Sequence, residues 1–143
     1  MDYKLIVDKE KEESLILTVN ERNELVEKIE EIIGVKKDII LGYKDNEILR
    51  ISPSDADCFF TDNNRIYAFV GEEKYLLKIR IYQIEEMLDS NFMKINRGCI
   101  VNIKKIKKFE MSFGGTISVV LTNGFSDYIS RRELKNVKRR MGL

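Results

Sequence analysis

The 143-residue chain has no histidine and no tryptophan, a single proline and only two cysteines. Without histidine it lacks the usual proton shuttle near neutral pH and the commonest metal ligand. There is no Cys-x-x-Cys pair, no glycine-rich phosphate loop and no Gly-x-Ser-x-Gly elbow. These gaps argue against an enzyme with a catalytic centre, and against a metal or other cofactor. Cys58 and Cys99 each open an apolar run, so they are expected to be buried, reduced thiols of a cytoplasmic protein. No apolar run approaches the roughly 20 residues of a membrane span. The acidic start MDYKLIVDKEKEES is not that of a signal peptide.

What is present is charge. The sequence is 43% hydrophobic and 34% charged, which fits one domain, or one domain with a small appendage. A chain of this size hides roughly 70% of its unfolded surface, enough for a real core. The net charge of +1 conceals an asymmetry. Residues 97–143 hold eleven Lys and Arg against three acids, a net of +8, and residues 1–96 carry a net of −7. A basic third joined to an acidic remainder suggests an anionic partner for one face.

Along the chain, residues 3–7 and 14–18 read as short strands around the charged turn KEKEE. A helix follows, with Asn20 as its cap, Leu25, Val26, Ile29, Ile32 and Ile33 on one face, and Gly34 as terminator. Glu24 and Lys28 stand four apart in the favourable order on its surface. From there the pattern turns to β. Strands are expected at 39–43, 47–51, 57–61, 66–70 and 74–79, then a short helix through Ile81, Ile84 and Leu88. Later strands at 106–113 and 116–122 flank Gly114-Gly115, another lies near Tyr128, and a basic helix covers 131–140. The pattern is α+β and mostly β, with short helices, and a soft boundary falls between residues 36 and 46.

Residues 92–109, FMKINRGCIVNIKKIKKF, carry the chemistry. Ile95, Cys99, Val101 and Ile103 alternate as one core face, and Ile100 fills the other. Arg97-Gly98 interrupts them: glycine permits a positive φ or a close backbone approach and leaves the arginine at a bend. Such an arginine suits bidentate contact with guanine or a phosphate, the alternative being a carboxylate partner in the acidic half. Lys104, Lys105, Lys107 and Lys108 follow, and a second basic cluster comprises Arg131, Arg132, Lys135, Lys138, Arg139 and Arg140. Ser130 is placed to cap the terminal helix, whose first amides favour a phosphate. If both clusters face one way, six to eight phosphates are neutralised and the log–log salt slope is roughly −5 to −7.

The run F-x-K-I-N-R-G-C-I-V-N-I-K-K-I and the later L-T-N-G-F-x-x-x-I-S-R-R-E-L-K together resemble the LytTR-type DNA-binding domain of bacterial response regulators. The resemblance covers about residues 40–143. It implies an α+β, mostly β fold, a small multi-sheet domain over 40–143 with short helices, preceded by an α/β appendage of strand, strand and helix over 1–39. Such a domain reads the major groove of promoter repeats with loop and turn side chains, two copies per site. Carried across, it makes Arg97 and Arg132 base contacts, joined by Asn96 and by Asn64 and Arg65 of the turn Asn63-Asn64-Arg65. It makes Arg131 a phosphate contact, and the basic clusters and the helix cap add Ser130, Lys104, Lys105, Lys107, Lys108 and Lys135 as further phosphate contacts. Asn102 is expected to hold the fold instead. The family's usual His-Arg-Ser is Asn96-Arg97-Gly98 here, which points to an altered base preference. A receiver domain usually precedes such a domain, and about 40 residues precede it here, so the input signal is open.

The partners so implied are double-stranded DNA, a second copy of the chain at least on DNA, and room for a regulatory protein. Two other classes stay in view. A protein-interaction module would dock an acidic partner on the basic face. RNA binding by the sheet has weak support, because the aromatic residues look scattered along the sequence rather than paired on adjacent strands.

Overall fold

The computed structural model describes residues 2–33 and 38–143. The chain divides into two compact units, Met1–Lys36 and Lys37–Leu143. In the first, α1 (Glu24–Ile33) is the one regular element among the described residues. Its cap is Asn23, whose Oδ1 accepts from the Val26 N–H at 3.2 Å, rather than the expected Asn20. The surface pair that forms is Arg22 with Glu30, not Glu24 with Lys28. Gly34, the expected terminator, lies outside the described residues. The strands expected at 3–7 and 14–18 do not form. A two-stranded ribbon is marginal without a surface to pack on, and these segments are solvent-exposed.

The second unit is mostly β, as its turn chemistry predicts. Strands β1 (Ile40–Lys44), β2 (Glu47–Ile51), β3 (Cys58–Asp62), β4 (Arg65–Val70) and β5 (Glu73–Leu77) come first. After helix α2 (Ile81–Met87) come β6 (Phe92–Asn96) and β7 (Cys99–Asn102). These form one antiparallel sheet in the order β2-β1-β5-β4-β3-β7-β6. A second sheet, β10-β9-β8, contains β8 (Ile106–Met111), β9 (Ile117–Leu121) and β10 (Ser126–Tyr128). Helix α3 (Arg131–Met141) closes the chain, and its N-cap is Ser130, as expected.

Alternation along the strands gives the large sheet two apolar faces. Ile40, Ile51, Phe59, Leu77, Phe92 and Ile100 pack on one side with Ile84 of α2. Cys58, Met93, Ile95, Cys99 and Val101 pack on the other with Val119 and Leu121 of β9 and Val137 of α3. The sheet is thus sandwiched between one short helix and a layer of small sheet plus α3. Gly42 is fixed by proximity: a Cβ there would lie 2.6 Å from Ile51 Cδ1 and 2.8 Å from Tyr75 Cβ. Phe60, Tyr67, Phe69 and Phe125 form a ring cluster, with Phe60 and Phe69 centroids 5.3 Å apart. The aromatics are therefore not scattered, but Phe125 packs onto them and they join the core, so they are not an open stacking platform.

Both cysteines are fully buried on the α3 side of the sheet. Burial drives both thiols above their ordinary pKa of 9.0, and Asp127 adds to the shift. Above that pH the unfolded chain loses thiol protons that the folded chain keeps. Folding stability therefore falls as pH rises, by up to about 1.4 kcal/mol per pH unit for each thiol. Urea titrations from pH 8 to 10 should show this decline, and the Cys58→Ala/Cys99→Ala variant should lose that part of it. An aromatic disulfide reagent should label neither thiol until the protein is denatured.

Candidate nucleic-acid interface

Three loops meet at one end of the large sheet because two hairpins lie side by side there. Between β3 and β4 the turn is Asn63-Asn64, set by the pairing of Asp62 with Arg65. Both asparagines take positive φ, 49° and 62°, the conformation of the tightest hairpins and one that asparagine tolerates. Between β6 and β7 the turn is Arg97-Gly98, set by the pairing of Asn96 with Cys99. The two turns touch: the Thr61 N–H donates to the Gly98 carbonyl at 2.8 Å. Gly98 is not at positive φ; its glycine serves a close approach, because a Cβ would sit 3.2 Å from Thr61 Cβ.

The third loop is the lead-in to α3. The Ser130 N–H donates to the Ile95 carbonyl at 2.9 Å, which brings the start of α3 beside the end of β6. Ser130 Oγ accepts from the Glu133 N–H at 3.4 Å, leaving Arg131 and Arg132 exposed in the first turn. A single amide ties this loop to its neighbour. Asn96 Nδ2 donates to the Tyr128 carbonyl at 2.9 Å, and its Oδ1 accepts from the Gly98 N–H at 3.0 Å.

Arg97 and Arg132 consequently line one concavity of about 590 Å³, with Lys94, Tyr128, Ser130 and Glu133. Lys94 is held by Glu85 at 2.9 Å. Among the described residues no carboxylate pairs with Arg97, Arg131 or Arg132. The carboxylate alternative for Arg97 therefore finds no partner there. Asn64 and Arg65 line a neighbouring groove of about 610 Å³ with Lys78 and Arg80. These two bases follow β5 and reach the same sheet end, because Leu77 pairs with Ile66. Sequence reasoning passed over Lys78 and Arg80; the signal was a Lys-Ile-Arg alternation directly after an apolar strand.

Two expected contacts meet a different setting. Asn96 is 5% exposed, and its amide is engaged at both ends within the protein, bridging the Arg97 turn and the Tyr128 loop. The lysine run does not join the arginines. Strand β7 carries the chain away from the Arg97 turn, so the turn Ile103–Lys105 begins at the opposite end of the sheet. Three residue steps of ~3.3 Å make that distance roughly 10 Å or more. Lys107 and Lys108 open β8 at that far end, and Lys108 pairs with Glu110 at 2.8 Å. Helix α3 runs back the same way: the Arg140 guanidinium donates to the carbonyls of Phe92 (3.0 Å) and Ser90 (2.5 Å). Lys135 lies exposed one turn along it. Asn102 is buried, donating to the Ala56 carbonyl at 3.1 Å and accepting from the Lys104 N–H at 3.0 Å, as expected of a structural asparagine.

Asn96→Ala and Asn102→Ala should each cost about 1–3 kcal/mol of stability, the penalty for stranding buried polar groups. They should differ in binding. At a temperature where both variants are folded, fluorescence-anisotropy titration should find duplex affinity reduced in the first and unchanged in the second.

Comparison with known proteins agrees with this architecture. The family profile described as the LytTr DNA-binding domain matches residues 46–142. An uncharacterized HTH-type transcriptional regulator of Staphylococcus aureus (strain NCTC 8325) is 34% identical over 108 residues, spanning 76% of this chain and 74% of its own. Its counterpart in strain MRSA252 has the same identity and coverage. Among solved structures, the LytTr DNA-binding domain of a Bacillus cereus protein described as a methyl-accepting/DNA response regulator has a similar fold. It superposes with a TM-score of 0.67 at 17% identity, over 76% of this chain and 100% of the other. Strands separate the described helices of this chain from one another, so none of them form a helix-turn-helix. No helix among the described residues is long and apolar enough to cross a membrane.

Proposed function

The chain belongs to the LytTr DNA-binding domain family, and from that premise we propose that the arginine-bearing end of its large sheet reads duplex DNA. The observation that carries the proposal is the shared concavity of Arg97 and Arg132, whose guanidiniums have no carboxylate partner among the described residues. A guanidinium offered from a bend is free to form two hydrogen bonds to guanine O6 and N7. Arg97 and Arg132 are assigned to bases, with Asn64 and Arg65 in the neighbouring loop. Arg131, Lys78 and Arg80 are assigned to phosphates, and the first amides of α3 offer a further anion site.

The dimensions favour a groove. Adjacent hairpins stand two strand spacings apart, roughly 10 Å, which approaches the ~12 Å width of the major groove. Three loops in a row thus span roughly 20 Å, about six base pairs at ~3.4 Å each, a short recognition element. Two copies of the chain on paired elements in a promoter would then act in transcriptional regulation, within the cytoplasm. Lys104, Lys105, Lys107 and Lys108 contribute long-range attraction from the far end, not direct contacts.

Arg97→Ala and Arg132→Ala should each weaken binding to a selected duplex by about 1–3 kcal/mol and relax discrimination at one position. Selection from a random duplex pool, followed by anisotropy titration, measures both; unaltered affinity in both variants would overturn the assignment. With three bases on phosphates (Arg131, Lys78 and Arg80), the log–log salt slope should be about −3, shallower than the −5 to −7 expected if the lysine run took part. Arg131→Ala should flatten this slope by about one, while Lys104→Ala leaves it unchanged.

A further inference from the structure

Between residues 2 and 33 not one side chain is buried. Eleven large apolar side chains there are more than a third exposed, among them Ile16 at 88% and Ile32 at 82%. A segment this short cannot build a self-sufficient core, since chains below about 40 residues need a staple or a partner. We propose that this first unit is a homodimerisation element, covered by the same unit of a second copy of the chain.

The pattern of α1 specifies what can cover it. Leu25, Ile29 and Ile32 recur at spacings of four and three, and Val26 and Ile33 widen the stripe. Lys28 borders the stripe beside Ile32, and Glu30, paired with Arg22, borders it beside Val26. Glu24, Glu27 and Glu31 lie on the other side of the helix. The unit is acidic, yet the borders carry one base and one acid that already has a partner, so charge at the stripe does not oppose pairing like with like. An acidic or basic partner would find nothing complementary on the stripe itself. An identical stripe related by a two-fold axis matches it.

Helix α1 spans 10 residues, about 15 Å, too short to pair alone as a coiled coil. The exposed apolar segments around Leu5–Val7 and Leu15–Val19 therefore belong to the same interface. Eleven side chains at on the order of 100 Å² each bring the contact to about 1,000 Å² per copy, against the ~800 Å² per partner of a standard stable complex.

Sedimentation equilibrium of the full chain without DNA tests this, and its failure would leave the DNA-binding reading untouched. The expected mass is twice 16.8 kDa. Ile29→Lys/Ile32→Lys should raise the dimer dissociation constant at least a hundredfold, with the strand circular dichroism and single-element DNA affinity unchanged. Ile29 stands near the middle of α1, so two copies meet there whichever way the helices run. Oxidised Ile29→Cys should form a disulfide-linked dimer and Glu27→Cys should not, Cys58 and Cys99 being buried and silent. A wild-type mass of 16.8 kDa, a double variant that stays dimeric, or equal linking of the two cysteine variants would each overturn the proposal.

Discussion

The Asn96 side chain is the joint on which the basic end of the domain depends. One amide, removed from water, donates across to the loop that precedes α3 and accepts from the turn that carries Arg97. In a low-dielectric setting both bonds are stronger than on a surface, and breaking either strands a buried polar group. Loops drawn from distant parts of the sequence are thereby tied together. The proposed reading of a groove benefits from that, because the entropy of ordering separate loops on binding would be subtracted from affinity.

The rest of the domain supports that joint from both sides. The large sheet is apolar on its two faces, so its strand ends are held in register by cores above and below. Helix α3 begins beside the arginines and is pinned at its other end by Arg140 on β6. It acts as a strut along the edge strand. Displacing its first turn would require shifting the whole helix against Val137 and its neighbours, so the exposed arginines stand on a stiff base despite lying in a loop and a first turn.

Much of this was legible in the sequence because it is local. Paired apolar runs separated by Asp-Asn, Asn-Asn or Asn-Gly define hairpins through turn chemistry alone, and Ser130 declares a helix start by its hydroxyl. The Arg97 and Arg132 motifs were legible through family resemblance. What escaped depends on contacts far apart in the chain. Asn96 looks like a surface asparagine beside an arginine until Tyr128 is brought to it. The lysines of 104–108 look continuous with Arg97, but a four-residue strand carries them to the other end of the sheet. The aromatic cluster joins residues as distant as Phe60 and Phe125. At the N-terminus, apolar runs suggested strands, but alternation supplies only a propensity, and a strand needs an edge to pair with.

The contact between Gly98 and Thr61 bears on how such domains diversify. A larger residue at position 98 would press on Thr61, one residue before the end of β3 and the Asn63-Asn64 turn that follows it. A side chain added in one loop thus asks the strand end beside it to give by a few tenths of an ångström. An exchange at position 98 is therefore coupled to the residue at position 61, and the two are expected to change together.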